Sequence, residues 1–152
     1  MAVRYFASTE EAFDVMVEQL EAAEHYIFLE YFILEEGVFW DTILEILERK
    51  VRQGLDVRLI YDDVGCVKTL PQHYYKRMRE KGIRCYAFNR FVPFISFRMN
   101  NRTHRKILVI DGHTGFTGGY NLADEYINVK ERFGGLPVPR HIFRGKEPLY
   151  GG

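Results

Sequence analysis

The sequence predicts an α/β fold built on a mixed, largely parallel sheet with helices on its faces. Segments with the 3.6-residue period of amphipathic helices alternate with short aromatic and β-branched runs over roughly the first 90 residues. A strand, a helix and a second strand in succession form a unit whose strands pair in parallel. The 152 residues, 47% of them hydrophobic and 28% charged, suit one globular domain with a single buried core.

The first elements follow from residue period and from residues that start or end helices. Ser8 and Thr9 are of the types that cap helices, and the apolar positions after them predict a helix to about residue 23. An aromatic and β-branched run predicts a central strand over 25–34. Apolar positions at helical spacing predict a second helix over 38–52, which Gly54 ends.

The rest of the chain continues this alternation and then departs from it. In proteins with parallel sheets, strands and helices alternate along the chain. This sequence shows such an alternation to about residue 89. The further predicted elements are a strand at 56–61, a helix at 71–82, a strand at 83–89, a strand at 107–110, a partner strand at 114–117 and a short helix at 122–127.

Domain organisation is predicted from the change of composition near residue 133. Residues 1–133 form the predicted domain, and residues 134–152 are a Gly/Pro-rich tail without periodicity, disordered or foreign to the natural protein. Cys66 and Cys85 are too few for a disulfide framework or a metal cluster. We interpret both cysteines as small, partly buried apolar residues.

The candidate chemistry is concentrated around the strand at 107–110. His104 and Lys106 precede it two residues apart, so on an extended chain their side chains point the same way. Asp111 follows the strand, and Gly118-Gly119-Tyr120-Asn121 comes shortly after. Glycines let a backbone approach a ligand closely, and an Asn amide donates to phosphate oxygens. The alternative is an ordinary solvated cluster of basic residues at a strand start.

This pattern resembles the HKD motif of the phospholipase D superfamily. The wider sequence resembles the first catalytic domain of bacterial cardiolipin synthases from about residue 22 to about residue 133. The resemblance implies a phospholipase D-like domain over 1–133 that carries a single HKD motif. The segments that carry it are Glu30-Tyr31-Phe32, Arg58-Leu59-Ile60-Tyr61-Asp62-Asp63-Val64-Gly65, Asn101-Arg102-Thr103-His104-Arg105-Lys106 and Gly115-Phe116-Thr117-Gly118-Gly119-Tyr120-Asn121.

The resemblance implies catalytic roles for His104, Lys106 and Asp111. His104 would attack phosphorus and form a phosphohistidine. Lys106 and Asn121 would donate to the non-bridging phosphate oxygens. Asp111, at the other end of the strand, is expected to order local structure or a basic group rather than to touch phosphate.

Two acidic residues are candidates for supporting roles near the motif. Glu30 lies in an apolar run, where a carboxylate is either close to the reacting groups or held in a structural ion pair. Glu125, in the predicted short helix, would orient the imidazole. Asp62 and Asp63 lack further ligands at a recognisable spacing, so we read them as loop or supporting residues. No cofactor and no metal are expected.

The implied reaction transfers a phosphatidyl group between two phosphatidylglycerol molecules and needs a second histidine to protonate the leaving oxygen. The superfamily supplies that histidine from a second HKD motif. The partner half therefore lies either elsewhere in a longer natural protein or in a second copy of the chain. His113 has no Lys two residues on and is not a second motif.

Membrane association is expected from the family resemblance. The chain has no run of 18 apolar residues and no signal peptide, so we expect this chain to be soluble. A full-length protein would work at the cytoplasmic face of a bacterial membrane. The apolar stretch at 91–97, followed by cations, is either a loop buried in the core or a tip that enters the membrane interface.

Charge is zero overall but unevenly distributed along the sequence. Residues 1–63 contain 5 basic and 15 acidic side chains, whereas residues 64–110 contain 11 basic and 1 acidic. The basic segment suits an anionic phospholipid or membrane surface. Alternatively, the two segments pack with opposite charges facing each other.

Two rival functions stay open at this stage. The first is a homodimeric phosphodiesterase or nuclease of the same superfamily, for which the basic segment would contact nucleic acid. The second is a non-catalytic α/β module in which the basic cluster only binds an anion. The motif itself does not encode whether an alcohol or water accepts the phosphatidyl group.

Overall fold

The computed structural model describes residues 2–90, 104–119 and 121–123. Helices and strands alternate through the first six elements, and two further strands complete the described sheet. The elements are α1 (Thr9–Glu21), β1 (Tyr26–Tyr31), α2 (Val38–Arg52), β2 (Asp56–Asp62), α3 (Tyr74–Glu80), β3 (Arg84–Phe88), β4 (Lys106–Ile110) and β5 (Thr114–Thr117).

The strands form one five-stranded sheet in the order β3-β2-β1-β4-β5. Strands β1, β2 and β3 pair in parallel, as the strand–helix–strand pattern predicts. Strand β4 pairs with β1 in the antiparallel sense, and β5 pairs with β4 in the same sense. The α/β fold class with a mixed sheet flanked by helices is confirmed, and β1 lies at the change from parallel to antiparallel pairing.

One face of the sheet is packed against the helices and forms the core. Alternate residues of each strand point toward that face, as the period of two in a strand requires. The opposite face is more accessible among the described residues, where Tyr86 and Phe88 are exposed. The largest fully buried side chains include Trp40, Tyr61, Tyr74, Phe13, Phe39 and Met16.

Helices α1 and α2 are fixed to each other through polar contacts as well as apolar packing. The Ser8 hydroxyl accepts the Glu11 N–H and caps the start of α1. At the other end, the buried Lys50 ammonium donates to the carbonyl oxygens of Glu21 (2.6 Å) and Ala23 (2.8 Å). The last carbonyl groups of a helix generally need partners from outside the helix, and these two bonds from Lys50 stabilise the end of α1.

Two predicted boundaries are wrong, one because of tertiary contacts and the other because of a local backbone conformation. Strand β1 ends at Tyr31 rather than at residue 34, because the chain beyond it bonds to loops instead of to the strand ladder. Helix α3 begins at Tyr74 rather than at residue 71 because His73 has a φ of 58°, in the left-handed region.

Opposite charges of the two sequence segments face each other in the structure. Four cations from the basic segment lie within 4.0 Å of a carboxylate from the acidic segment. These contacts support the interpretation that the two segments pack against each other. The pairs are Arg77 with Glu36, Lys81 with Glu48, Arg84 with Asp56 and Arg105 with Glu30.

Several predictions fall on residues outside the described ranges. They are the apolar stretch at 91–97, residues 124–127 of the short helix, Glu125, the boundary at residue 133 and the tail at 134–152. The division into a domain and a tail therefore stays a prediction. Within the described part of the chain, none of the helices has the length and apolar character needed to cross a bilayer.

Candidate active site

The motif residues reach the sheet at the edge where the parallel strands end. Because β4 is antiparallel to β1, its first residue, Lys106, lies opposite Tyr31, the last residue of β1. His104 comes two residues before β4 and lies at the same edge. Carboxyl ends of parallel strands are the usual place for sites in open α/β sheets, so the start of β4 has a suitable location for chemistry.

His104 and Lys106 meet around the ring of Phe32, the residue that follows β1. The imidazole ring lies 4.3 Å from the Phe32 ring, centroid to centroid, with the planes tilted by 32°. The Lys106 Nζ lies 5.9 Å from the same centroid and donates to the His104 carbonyl oxygen at 2.9 Å. His104 is exposed while Phe32 is buried, so the imidazole is supported from one side and accessible to a substrate from another.

Asn121 is brought to the same segment of chain. Its Oδ1 accepts the Ile33 N–H at 3.1 Å, although the two residues are 88 positions apart in the sequence. The side chain is buried, and the neighbouring Leu122 pairs with Leu34 in an isolated parallel bridge. The hydrogen bond from the Ile33 N–H to the amide oxygen orients the Asn121 side chain. Asn121 is thereby held beside Ile33, the residue after Phe32, which contacts His104.

The turn after β2 packs directly behind Phe32. Gly65 lies so close that a Cβ there would meet the Phe32 carbonyl oxygen at 2.7 Å and a ring carbon at 3.0 Å. The Cys66 Sγ accepts the Leu34 N–H at 3.2 Å and lies 3.6 Å from the Phe32 carbonyl oxygen. Burial raises the pKa of Cys66 to about 11, so the thiol is protonated at neutral pH and donates to that carbonyl.

Asp111 lies at the far end of β4 and makes different contacts. Its carboxylate accepts the backbone N–H groups of Glu24, His25 and Tyr26 at 2.8–2.9 Å. Burial acts to raise the pKa of Asp111, but these three donors together hold it below its usual value. The four residues 107–110 of β4 separate Asp111 from Lys106. Asp111 therefore fixes the start of β1 and does not reach the edge where His104 lies.

Comparison with known proteins identifies the family. Residues 16–131 match the family model described as "Cardiolipin synthase, PLD-like domain", where PLD denotes phospholipase D. This chain belongs to that family. A protein of Streptococcus mutans is 51% identical over 132 residues, and a cardiolipin synthase of Geobacillus kaustophilus is 42% identical over 138 residues. The matches cover 87% and 90% of this chain.

The similarity to these relatives covers only part of their length. The chain spans 29% of the Streptococcus mutans protein and 27% of the Geobacillus kaustophilus cardiolipin synthase. Among solved structures, the phospholipase D family member Nuc from Salmonella typhimurium matches with a TM-score of 0.55 and 17% identity. That match covers 74% of this chain and 65% of Nuc, and it shows a shared fold.

The acidic residues near the motif of this phospholipase D-like domain have structural partners. The Glu30 Oε1 lies 4.0 Å from Arg105 Nη1, a contact consistent with the ion pair that the sequence left as one alternative. Asp62 ends β2, and its carboxylate accepts the Gly65 N–H at 2.8 Å and the Asn89 side-chain N–H at 3.2 Å. Glu125 lies outside the described residues.

No group of three or more His, Cys, Asp or Glu side chains in the described ranges is placed to hold a metal ion. The Asp62 carboxylate, at the first of the two adjacent acids, bonds within its own turn. The expectation of metal-free chemistry stays a prediction.

Sequence reasoning assigned no role to Phe32, which the structure places between His104 and the turn at 62–66. An apolar residue at the end of an apolar run is indistinguishable by pattern from any other core residue. Its only signal was its place in Glu30-Tyr31-Phe32, one of the segments that carry the family resemblance.

Proposed function

We propose that this chain is one catalytic half of a phosphatidyltransferase of the cardiolipin synthase type. The observation that carries the proposal is the meeting of the His104 imidazole and the Lys106 ammonium around one supporting ring at the sheet edge. A nucleophile and a cation side by side, open to solvent, are what displacement at an anionic phosphodiester needs. Membership of the cardiolipin synthase family supports the choice of substrate class.

The proposed reaction has two displacements at phosphorus. In the first, a His104 ring nitrogen attacks the phosphorus of phosphatidylglycerol, a phosphorus–nitrogen bond forms, and the bond to the glycerol oxygen breaks. In the second, a hydroxyl of another phosphatidylglycerol attacks the same phosphorus and releases the imidazole. The products are cardiolipin and glycerol, and the covalent intermediate divides one difficult step into two.

Lys106 and Asn121 are proposed to bind the phosphate. Negative charge increases on the non-bridging oxygens as each displacement proceeds, and a fixed ammonium stabilises that charge most when it is greatest. The Lys106 ammonium uses one N–H in its hydrogen bond to the His104 carbonyl oxygen and has further N–H groups to donate. Asn121 is oriented by Ile33, so its amide is the second proposed donor.

A second histidine is required to give a proton to the departing glycerol oxygen and to take one from the incoming hydroxyl. We propose that a second HKD motif supplies it, from a longer natural protein or from a second copy of this chain. The relatives' greater length supports the first source. Anionic phospholipid in a membrane surface is the proposed substrate phase, with the apolar stretch at 91–97 as the proposed membrane contact.

The first displacement is testable on the chain alone if the leaving group needs no proton. Phosphatidyl p-nitrophenol in detergent micelles meets that condition, since p-nitrophenolate departs unprotonated at pH 8. We expect a burst of p-nitrophenolate and a phosphatidyl adduct, found by mass spectrometry, on the peptide that contains His104. His104→Asn removes both signals, and Lys106→Met slows the burst by about 100-fold.

His113→Asn is the matched control for this experiment, because His113 is an exposed histidine at the opposite end of β4 whose ring bonds to Thr114. The control retains the burst and the adduct. Absence of an adduct on His104 in the unmodified chain contradicts the proposal. Cleavage of single-stranded DNA without any lipid adduct would instead establish the nuclease alternative.

A further inference from the structure

We propose that the turn at 62–66 positions the His104 imidazole through the ring of Phe32. The proposal deepens the proposed function, because it rests on His104 as the nucleophile. It gives a role to the Asp62-Asp63-Val64-Gly65 segment, which the reaction itself does not use. Phe32 is a positioning residue in this scheme, since it contacts the nucleophile and not the phosphate.

The turn is rigid at the point where it contacts Phe32. The buried Asp62 carboxylate bonds to the Gly65 N–H on one oxygen and to Asn89 on the other. The side-chain bond three residues along the chain closes the turn locally, while Asn89 ties it to the residue after β3. Gly65 therefore presents a fixed backbone surface behind Phe32.

The Phe32 segment is held against that surface by both its backbone and its ring. Cys66 contacts the chain on both sides of Ile33, through the Phe32 carbonyl and the Leu34 N–H. The Thr69 hydroxyl donates to the Leu34 carbonyl at 2.6 Å. Gly65 permits the close approach, because any side chain at that position would overlap the Phe32 carbonyl and ring.

The same Phe32 ring also contacts the two proposed reacting groups. An exposed imidazole has several rotamers, and a ring at 4.3 Å restricts them. The same ring lies within cation–π distance of the Lys106 ammonium. The described contacts thus form one path from Asp62 through Gly65 and Phe32 to His104, and a small displacement at the turn is transmitted to the nucleophile.

The position of the imidazole is measurable without any activity. An aromatic ring shifts the NMR signals of protons above its face upfield. We therefore expect the carbon-bound protons of His104 to resonate upfield of those of the other histidines in ¹H NMR. The His104→Gln variant assigns these signals. Phe32→Leu removes the shift, and Phe32→Tyr retains it. The matched control is Phe28→Leu, because Phe28 is half-buried on β1, the strand that Phe32 follows, and contacts Tyr26 and Arg58 instead.

The burst with phosphatidyl p-nitrophenol measures the consequence. Phe32→Leu lowers the limiting burst rate constant by about tenfold to 100-fold, as expected for a misplaced reacting group, with little change in the substrate concentration at half-saturation. Phe32→Tyr restores most of the rate. Gly65→Ala acts in the same direction because its methyl group displaces the ring, whereas Gly115→Ala, at a site with only ordinary van der Waals contact, leaves the rate unchanged.

The outcomes separate this proposal from the proposed function. Thermal unfolding followed by circular dichroism first confirms that each variant is folded, and Phe32→Tyr and Gly65→Ala serve if Phe32→Leu is not. A His104 shift that is absent in the unmodified chain, or that survives Phe32→Leu, overturns the positioning role. An unchanged burst in a variant that has lost the shift also overturns it, while leaving His104 as the nucleophile. If Phe32→Leu loses the shift but the unmodified chain shows no burst, the positioning of the imidazole is upheld. Only the proposed function is then contradicted.

Discussion

At the scale of single residues, Asp111 joins two parts of the chain that are distant in sequence. It accepts the Tyr26 N–H across 85 positions of sequence, and it does so from a backbone conformation with a φ of 53°. Asp and Asn tolerate that left-handed conformation better than most residues. The residue type at this position thus satisfies a backbone requirement and an electrostatic one together.

Replacing Asp111 tests the electrostatic part. Asp111→Asn keeps the backbone preference but removes the charge, and we expect it to lower the free energy of unfolding by about 1–2 kcal/mol at pH 7. The pKa of Asp111 is lower in the folded chain than in the unfolded chain. Its stabilisation is therefore complete above the unfolded pKa and is lost as the pH falls through the folded pKa.

The measurement is urea unfolding of both proteins between pH 2 and pH 8. The stability difference between them should shrink as the medium becomes acidic below the ordinary carboxyl pKa. Glu80→Gln, at an exposed position on α3, is the control and shows little difference at any pH. A constant difference for Asp111→Asn over the whole range would exclude a charge effect.

At the residue scale, sequence reasoning singled out residues whose chemistry is rare and overlooked one of a common type. The spacing of His104 and Lys106 was conspicuous because few sequences place a nucleophilic side chain two residues from a cationic one. Phe32 was not conspicuous, because its role depends on contacts with Gly65 and His104 that no local pattern encodes. For Asp111, the sequence left open what it orders, and the structure assigns the start of β1.

At the scale of elements, Lys50 of α2 completes the end of α1. Its ammonium is buried and bonds to two backbone carbonyls. We expect Lys50→Met, which keeps most of the aliphatic stem, to lower the free energy of unfolding by about 1–3 kcal/mol, because two carbonyl oxygens lose their donor.

Chemical denaturation with two controls tests this element contact. Lys76→Met changes an exposed lysine on α3 and should alter stability by less than about 0.5 kcal/mol. Lys50→Arg keeps a cationic donor and should lie between the two. Equal stability of Lys50→Met and the unmodified chain would show that water replaces the ammonium at these carbonyls.

Element boundaries were predictable only where the signal is local. The helix at 38–52 coincides with α2 because its apolar period and final glycine are contained in the segment itself. The end of β1 and the start of α3 were missed because long-range bonds and the His73 backbone decide them. The antiparallel entry of β4 beside β1 was likewise outside the reach of local pattern.

At the scale of the whole molecule, the proposed reaction requires a partner half that supplies a second histidine. We expect the chain as a monomer to show no sustained transfer between phosphatidylglycerol molecules, because the glycerol leaving group then receives no proton. Turnover should appear only in a dimer, or when the second half of a longer family member is supplied. Transfer assayed by lipid mass spectrometry, with molar mass from light scattering on the same sample, provides the measurement.

The control for this prediction is the His104→Asn chain, which should be inactive in every state of association. A mixture of His104→Asn and unmodified chains distinguishes the two sources of the second histidine. If two copies cooperate, activity falls more steeply than the fraction of unmodified chain. Sustained transfer by a strict monomer would contradict the requirement for a partner.

The uneven charge of the sequence has an explanation at this scale. Part of the basic segment is paired with the acidic segment inside the domain, as the contacts of Arg77 and Arg84 with carboxylates illustrate. Exposed ion pairs contribute little stability individually, but they reduce the positive charge that is available for an anionic surface. Sequence alone gave the two interpretations equal weight, because pairing across a fold is invisible in a linear count.

The position of β1 at the change of strand direction has a consequence during synthesis on the ribosome. The helices and the three parallel strands emerge first, and one edge of β1 then has no neighbour until residues 106–110 have left the exit tunnel. An unpaired strand edge is a site for aberrant association with other nascent chains. Strand β4, which contains Lys106 and directly follows His104, is thus also the strand that closes this edge. We therefore expect a chain truncated before β4 to lose the candidate site and to aggregate.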